Sequence, residues 1–256
     1  MKPLAELDAH GVKALLFDID DTFTTGGKLT AEAYDALERL QHAGRIVVPV
    51  TGRPAGWCDH IARVWPVDAV VGENGAFYFF FAEGRLQKRF QDDAATRREK
   101  RGRLDAIARH ILAAVPGCAL ASDQGYRETD LAVDYCEDVP PLPLEAAERI
   151  EALMHEAGLK AKISSIHVNG WFGDYDKLAT SRLLFAERFG LELEKETVFA
   201  GDSPNDAPLF AFFERSVGVA NVRRFENLLV HKPKYVTRAA SGAGFAELAA
   251  HLLRKR

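Results

Sequence analysis

Three carboxylates stand within four positions of the stretch LLFDIDDTFTTGG, residues 15–27: Asp18, Asp20 and Asp21 follow directly on an apolar run. Side chains two apart on an extended chain share a face, so Asp18 and Asp20 converge at the end of the strand that the apolar run forms. Like charges this close repel unless a cation lies between them. Hard carboxylate oxygens select Mg2+, which keeps several waters and bridges to phosphate oxygens. A carboxylate beside such an ion can attack a phosphoryl group. A second can protonate the leaving oxygen and then deprotonate the hydrolytic water. Taken alone, the cluster reads equally well as an Asp-rich turn.

Three further stretches bear on the same chemistry. In VPVTGRP, residues 48–54, the Thr51 hydroxyl and the free N–H of Gly52 suit a phosphate oxygen, while a helix cap at Thr51 is the plainer reading. In GDYDKLATS, residues 173–181, Lys177 falls in the first turn of a helix, where the dipole disfavours a cation unless it meets an anion; a solvated lysine is the alternative. In FAGDSPND, residues 199–206, a strand ends in Gly201 and is followed by Asp202, Asn205 and Asp206. A turn with a helix cap explains one such cluster, but this is the second acidic cluster at the same kind of strand end. Asp202 completes a candidate Mg2+ site, with Asn205 and Asp206 beside the ion or one step behind it.

These residues need a scaffold that brings strand ends together. KALLF (13–17), RIVVPV (45–50) and DAVVG (68–72) are continuously apolar and read as buried strands, with TAEAYDALERLQHAG and GWCDHIARVW as the helices between them. Thr30 and Gly44 supply the cap and stop of the first helix. This alternation predicts an α/β fold, a Rossmann-like doubly wound parallel sheet. AFYFFF and RLQKRF around AEG predict a hairpin. Residues 92–171 then read helix–strand–strand–helix–strand–strand, with KAKISSI (160–166) and HVNGWF (167–172) as the last two strands. After Asp176 the first rhythm resumes, through strands TVFAG, SVGVAN and KYVT, to a closing helix over residues 244–256. The predicted organisation is a catalytic core, residues 1–91 plus 172–256, with a small α+β cap inserted at 92–171. Gly170 and Gly173 in the second crossing are expected to absorb a closing motion.

The chain has 256 residues, 47% of them apolar, enough for a substantial core. A net charge of -4 gives no reason to expect nucleic acid or an anionic membrane as partner, and the basic stretch RREKRGR (97–103) reads as a solvated helix face. The N-terminal stretch has no apolar signal segment, and three widely spaced cysteines form no metal pattern, so a cytoplasmic setting is expected.

In order and spacing, DIDDT, VTGR, the lysine of DYDK, and GDSPND resemble the haloacid dehalogenase-like (HAD) phosphohydrolase superfamily. A cap between the second and third motifs resembles its subfamily IIB, the branch of Cof-like sugar phosphatases, sucrose-phosphate and mannosylphosphoglycerate phosphatases, and phosphomannomutases. The resemblance implies Asp18 as nucleophile and Asp20 as acid/base. It implies Mg2+ on Asp18, the Asp20 backbone carbonyl and Asp202, with Thr51 and Lys177 on the phosphoryl oxygens. One departure is visible: the family pattern is Asp-x-Asp-Gly-Thr, and here Asp21 stands in place of the Gly.

Four residues are candidates to meet the rest of a substrate: Arg53, Asn74 in GENGAF, and His167 with Asn169, which alternate with Val168 on one cap face. Each has a bland alternative as turn or surface residue. The expected function is a Mg2+-dependent phosphatase acting on a small phosphorylated metabolite, a sugar phosphate. A phosphomutase using the same aspartyl-phosphate is the alternative. A receiver-like signalling module is disfavoured by chain length and by the paired Asp-x-Asp. Oligomeric state is not legible.

Overall fold

The computed structural model describes residues 1–164 and 166–254. In chain order the main elements are β1 (Lys2–Pro3), β2 (Ala14–Phe17), α1 (Ala31–His42), β3 (Ile46–Pro49), α2 (Ala55–Val64), β4 (Val70–Gly72), β5 (Phe77–Ala82) and β6 (Arg85–Phe90). Then come α3 (Ala94–Ala114), β7 (Ala119–Leu120), β8 (Asp130–Asp134), α4 (Leu144–Glu156), β9 (Lys160–Ile163) and β10 (His167–Trp171). The chain closes with α5 (Lys177–Leu184), α6 (Leu193–Glu196), β11 (Thr197–Gly201), α7 (Ala207–Phe212), β12 (Arg215–Gly218), β13 (Tyr235–Val236) and α8 (Ser241–Leu252). The predicted strand over residues 160–166 and the predicted closing helix include Ser165, Lys255 and Arg256, which lie outside the described residues.

The fold is α/β. Its main sheet has the order β1-β13-β12-β11-β2-β3, with every neighbouring pair parallel. The continuous apolar runs are explained by burial on both faces. Leu15, Phe17, Val47 and Val198 pack with Leu37 and Leu40 of α1 and Phe245 and Leu248 of α8. Their alternates Leu16, Val48 and Phe199 pack with Leu184 of α5 and Leu209 and Phe210 of α7. Each such Leu or Phe contributes about 1.5–3 kcal/mol relative to exposure. These two layers hold β2 and β11 side by side, with Ala200 opposite Phe17.

The third predicted strand differs from expectation. β4 meets the main sheet only at the Val50–Val71 bridge and otherwise pairs antiparallel with β5, in a three-stranded sheet β4-β5-β6. The reason is the turn after it. Glu73, Asn74 and Gly75 all have positive φ, which sends the chain straight back along the free edge of β4. The β5–β6 hairpin has a two-residue loop, Glu83–Gly84, also at positive φ as a primed turn requires.

The proposed cap contains a four-stranded antiparallel sheet, order β7-β8-β10-β9. One face packs Leu131, Val133 and Val168 against Leu104 and Ile111 of α3 and Ile150 and Met154 of α4. The other face turns toward the core, where Trp171 packs with Ile19, Ala55 and Tyr175. Gly170 is not a crossing residue: it lies inside β10, and a Cβ there would come 2.6 Å from Met154 Sδ, so packing requires its smallness. Gly173, with φ of +131°, does sit in the crossing.

Candidate active site

Because β2 and β11 are neighbours, their C-terminal ends deliver Asp18 and Asp202 to one place, the ligand-binding edge of an open α/β sheet. The Asp18 N–H donates to the Ala200 carbonyl, which fixes the register. Asp206 arrives on the turn before α7, and carboxylate oxygens of Asp18, Asp202 and Asp206 lie within 4.8 Å of one another. Asp206 Oδ2 accepts the N–H groups of Asp202 (3.1 Å) and Ser203 (3.4 Å). Thr22 Oγ1 and Asn221 Nδ2 donate to the two oxygens of Asp202, at 3.3 and 3.0 Å.

Lys177 opens α5, whose N-cap is Asp176. Its charge is not in solvent: Nζ is buried, 2.7 Å from Asp18 Oδ1 and 3.3 Å from Asp206 Oδ1. Burial alone would lower Lys177, but Asp18 and then Asp206 outweigh it and hold it above its ordinary value. One lysine does not balance three buried carboxylates. Burial pushes Asp18 up to about 7 against the pull of Lys177. It pushes Asp202 well above the carboxylate range, with Asp206 and Asp18 adding to the effect.

Asp20 faces the same cleft, gripped by Arg53: Nε donates to both oxygens (3.1 and 3.0 Å) and Nη2 to Oδ1 (2.8 Å). The Arg53 guanidinium also stacks on Trp57, 4.6 Å from the ring centre. Asp21 has φ of +56°, the left-handed region. A turn that needs this conformation suits Gly, and Asp is among the few other residues that adopt it readily. Thr51 is fully buried and is not the cap of α2, which is Pro54. Its hydroxyl accepts the Arg53 N–H at 3.0 Å and keeps its own proton to donate.

Asp18, Asp20, Gly52, Arg53, Asn74 and Asn205 share one cleft with His167 and Asn169 of β10. Asn205 Oδ1 accepts from Ser203 Oγ. Asn169 Nδ2 donates to Asp130 Oδ2 at 3.1 Å. Asn74 Nδ2 and His167 Nε2 are buried without a hydrogen-bond partner; Glu137 Oε2 lies 2.8 Å from the imidazole but out of line. Burial, then Arg127, pushes His167 down to about 4, so the ring is neutral at neutral pH.

Two charged residues that sequence reasoning misses, Arg127 and Glu73, tie the proposed cap to the core. Arg127 is buried between Asp123 and Asp130 and donates to the Gly52 carbonyl at 3.0 Å. Glu73 is fully buried and accepts the N–H groups of Ala55, Glu128, Thr129 and Asp130 and the Thr129 hydroxyl. Burial, with Asp130 beside it, pushes Glu73 up to about 7. The available signal was charge at inward positions of a strand, in RETDLAVD.

Comparison with known proteins gives three kinds of likeness. A haloacid dehalogenase-like hydrolase family model matches residues 15–96. A phosphoglycolate phosphatase of Pyrobaculum neutrophilum is 29% identical over 241 residues, 93% of this chain and 94% of that protein. The crystal structure of Thermoplasma acidophilum 0175 superposes with a TM-score of 0.72 at 17% identity, covering 95% of this chain and 99% of that one. A HAD subclass IIB sugar phosphatase superposes with a TM-score of 0.65 at 14% identity, covering 94% and 98%.

Proposed function

Because the chain belongs to the haloacid dehalogenase-like hydrolases and is an enzyme of their phosphatase type, we propose that it hydrolyses a small sugar phosphate, with Mg2+, through a phosphorylated Asp18. The observation that carries this reading is the Asp18–Lys177 pair set among Asp202 and Asp206 at adjoining strand ends.

The donor set fits Mg2+: three hard anionic groups, buried and short of positive charge. Asp18, Asp202 and the Asp20 backbone carbonyl would hold the ion. Asp206 already accepts two N–H groups and Lys177, which suits it to orient Asp202 and Lys177 rather than bind directly. The ion, when bound, offsets the carboxylate charge and polarises a phosphoryl oxygen.

In the first step an Asp18 oxygen bonds to phosphorus as the bond to the ester oxygen breaks. Asp20 gives its proton to that oxygen, and the alcohol leaves. In the second step Asp20 takes a proton from water, whose oxygen bonds to phosphorus as the bond to Asp18 breaks. Inorganic phosphate leaves, and both carboxyl groups return to their starting states. Lys177 and Thr51 hold phosphoryl oxygens, and Arg53 holds Asp20 in line.

Hydroxyl recognition next to the reacting centre is supported by the partnerless Asn74 Nδ2 and the neutral His167. The guanidinium groups of Arg53 and Arg127 are already paired with carboxylates, which leaves little for a glycolate carboxylate. The test is a panel of hexose phosphates and phosphoglycolate, assayed with Mg2+ and with chelator. Mg2+-dependent release of phosphate, faster from a hexose phosphate, is expected. Faster release from phosphoglycolate would overturn the sugar reading. Conversion of a hexose 1-phosphate to its 6-phosphate with little release would replace hydrolysis by mutase chemistry.

A further inference from the structure

The inner face of the cap sheet carries a charge gradient. The register places Asp134 beside His167, Ala132 beside Asn169 beside Lys162, and Asp130 beside Trp171 beside Lys160. The face is thus acidic on β8, neutral and polar on β10, and basic on the edge strand β9. That basic edge opens on a cavity of about 350 Å³, which runs from Lys177 and Asn74 past Leu178, Pro208 and Trp171 to Lys160 and Lys162. Its size is that of a small-molecule site.

The cavity is continuous with the catalytic cleft, because Asn74 and Asn205 line both. Asn74 is buried, and its Nδ2 has no partner. The other charged groups around the cavity are accounted for. Asp176 caps α5 through the Ala179 N–H, and Lys160 pairs with Asp174 at 2.7 Å. Lys162 has no ion pair among the described residues.

We propose that this cavity is a distal subsite for the leaving group, and that Lys162 on β9 binds an anionic group at its far end while Trp171, Leu178 and Pro208 hold an apolar body. This rests on the phosphatase reading above and adds the chemistry of the substrate's other end: a carboxylate or second phosphate, separated from the scissile ester by a compact ring or short chain. Hydroxyls meet His167 and Asn169, and the anion meets the neighbouring strand.

The test compares phenyl phosphate with 4-carboxyphenyl phosphate, which differ only in a distal anion. The preference for the carboxylated ester, as a ratio of kcat/KM values, falls roughly three- to ten-fold in Lys162→Ala, the range of an exposed to partly buried charge pair. It inverts in Lys162→Glu. Calorimetric binding of phenylphosphonate and 4-carboxyphenylphosphonate to the same variants reads the subsite without turnover. A ratio unmoved by both substitutions, in rate and in binding, overturns the subsite. Absence of hydrolysis of either ester, with the binding difference intact, overturns the phosphatase reading and leaves the subsite standing.

Discussion

Asp21 stands where the family pattern has glycine, and its φ of +56° gives the reason glycine serves there. The left-handed region costs most side chains on the order of 1–2 kcal/mol, less for Asp. Asp21→Gly is therefore expected to keep or slightly raise stability, and Asp21→Ala to lower it by about 1 kcal/mol, as read by urea unfolding. Asp21 also adds negative charge beside Asp202, so Asp21→Gly should need higher Mg2+ for half-maximal activity. Equal destabilisation by both substitutions would contradict this account of the turn. His167 gives a pH signature. Its folded value, about 4, lies below the ordinary 6.5, so the native state binds fewer protons in that window. The stability from keeping it neutral is present above pH 6.5 and is lost as pH falls toward 4, by on the order of 3 kcal/mol at most. Glu73, pushed up to about 7, has the opposite sign over nearly the same range. The informative measurement is therefore the difference between the wild type and His167→Gln: the variant should gain relative stability as pH falls from 6.5 to 4. A constant difference would show that His167 is not held neutral.

At the scale of elements, the turn after β4 does two jobs. Its three residues at positive φ send β5 back along β4, and they aim Glu73 at the backbone of residues 128–130. Glu73→Ala leaves the N–H groups of Ala55, Glu128, Thr129 and Asp130 without their acceptor. It is expected to cost about 3 kcal/mol or more. Limited proteolysis should then cut faster near residues 91–93 and 173–174, where the chain enters and leaves the proposed cap. Unchanged stability and unchanged cleavage would mean that Glu73 does not hold the cap to the core. Gly75 shows how close this turn comes to the start of α5: a Cβ there would lie 2.1 Å from the Asp176 carbonyl. Gly75→Ala should therefore displace Lys177 and lower kcat with a smaller change in KM. Little of this was legible in the sequence. GENGAF announced a turn, but a carboxylate that bonds a segment 55 residues further on leaves no local pattern. The strands and helices were legible because burial on both faces, or on one helix stripe, writes a period into the chain. β1 was missed because two residues pairing with β13 across the whole sequence write none.

At the scale of the molecule, a doubly wound sheet gathers strand ends, and the polar face of the β7-β8-β10-β9 sheet shares their cleft. The four candidate motifs were readable because each sits at a strand end or helix start, where apolar periodicity stops at a polar or charged residue. The hydrogen bond from Arg127 to the Gly52 carbonyl was not, since its donor and acceptor are 75 residues apart and meet only in the folded chain. Among the described residues no helix is long and apolar enough to cross a membrane. The central claim is that Asp18 carries the phosphoryl group, and trapping that group tests it most directly. An aryl phosphate supplies a leaving group that departs without much help from an acid, so Asp20→Asn should form the phosphorylated enzyme yet hydrolyse it slowly, by roughly 10²–10⁴-fold. Rapid acid quench of Asp20→Asn with aryl phosphate and Mg2+, followed by peptide mapping, is expected to find phosphate on the peptide containing Asp18, and none in Asp18→Asn. Phosphate on any other residue, or full turnover by Asp18→Asn, would contradict the account.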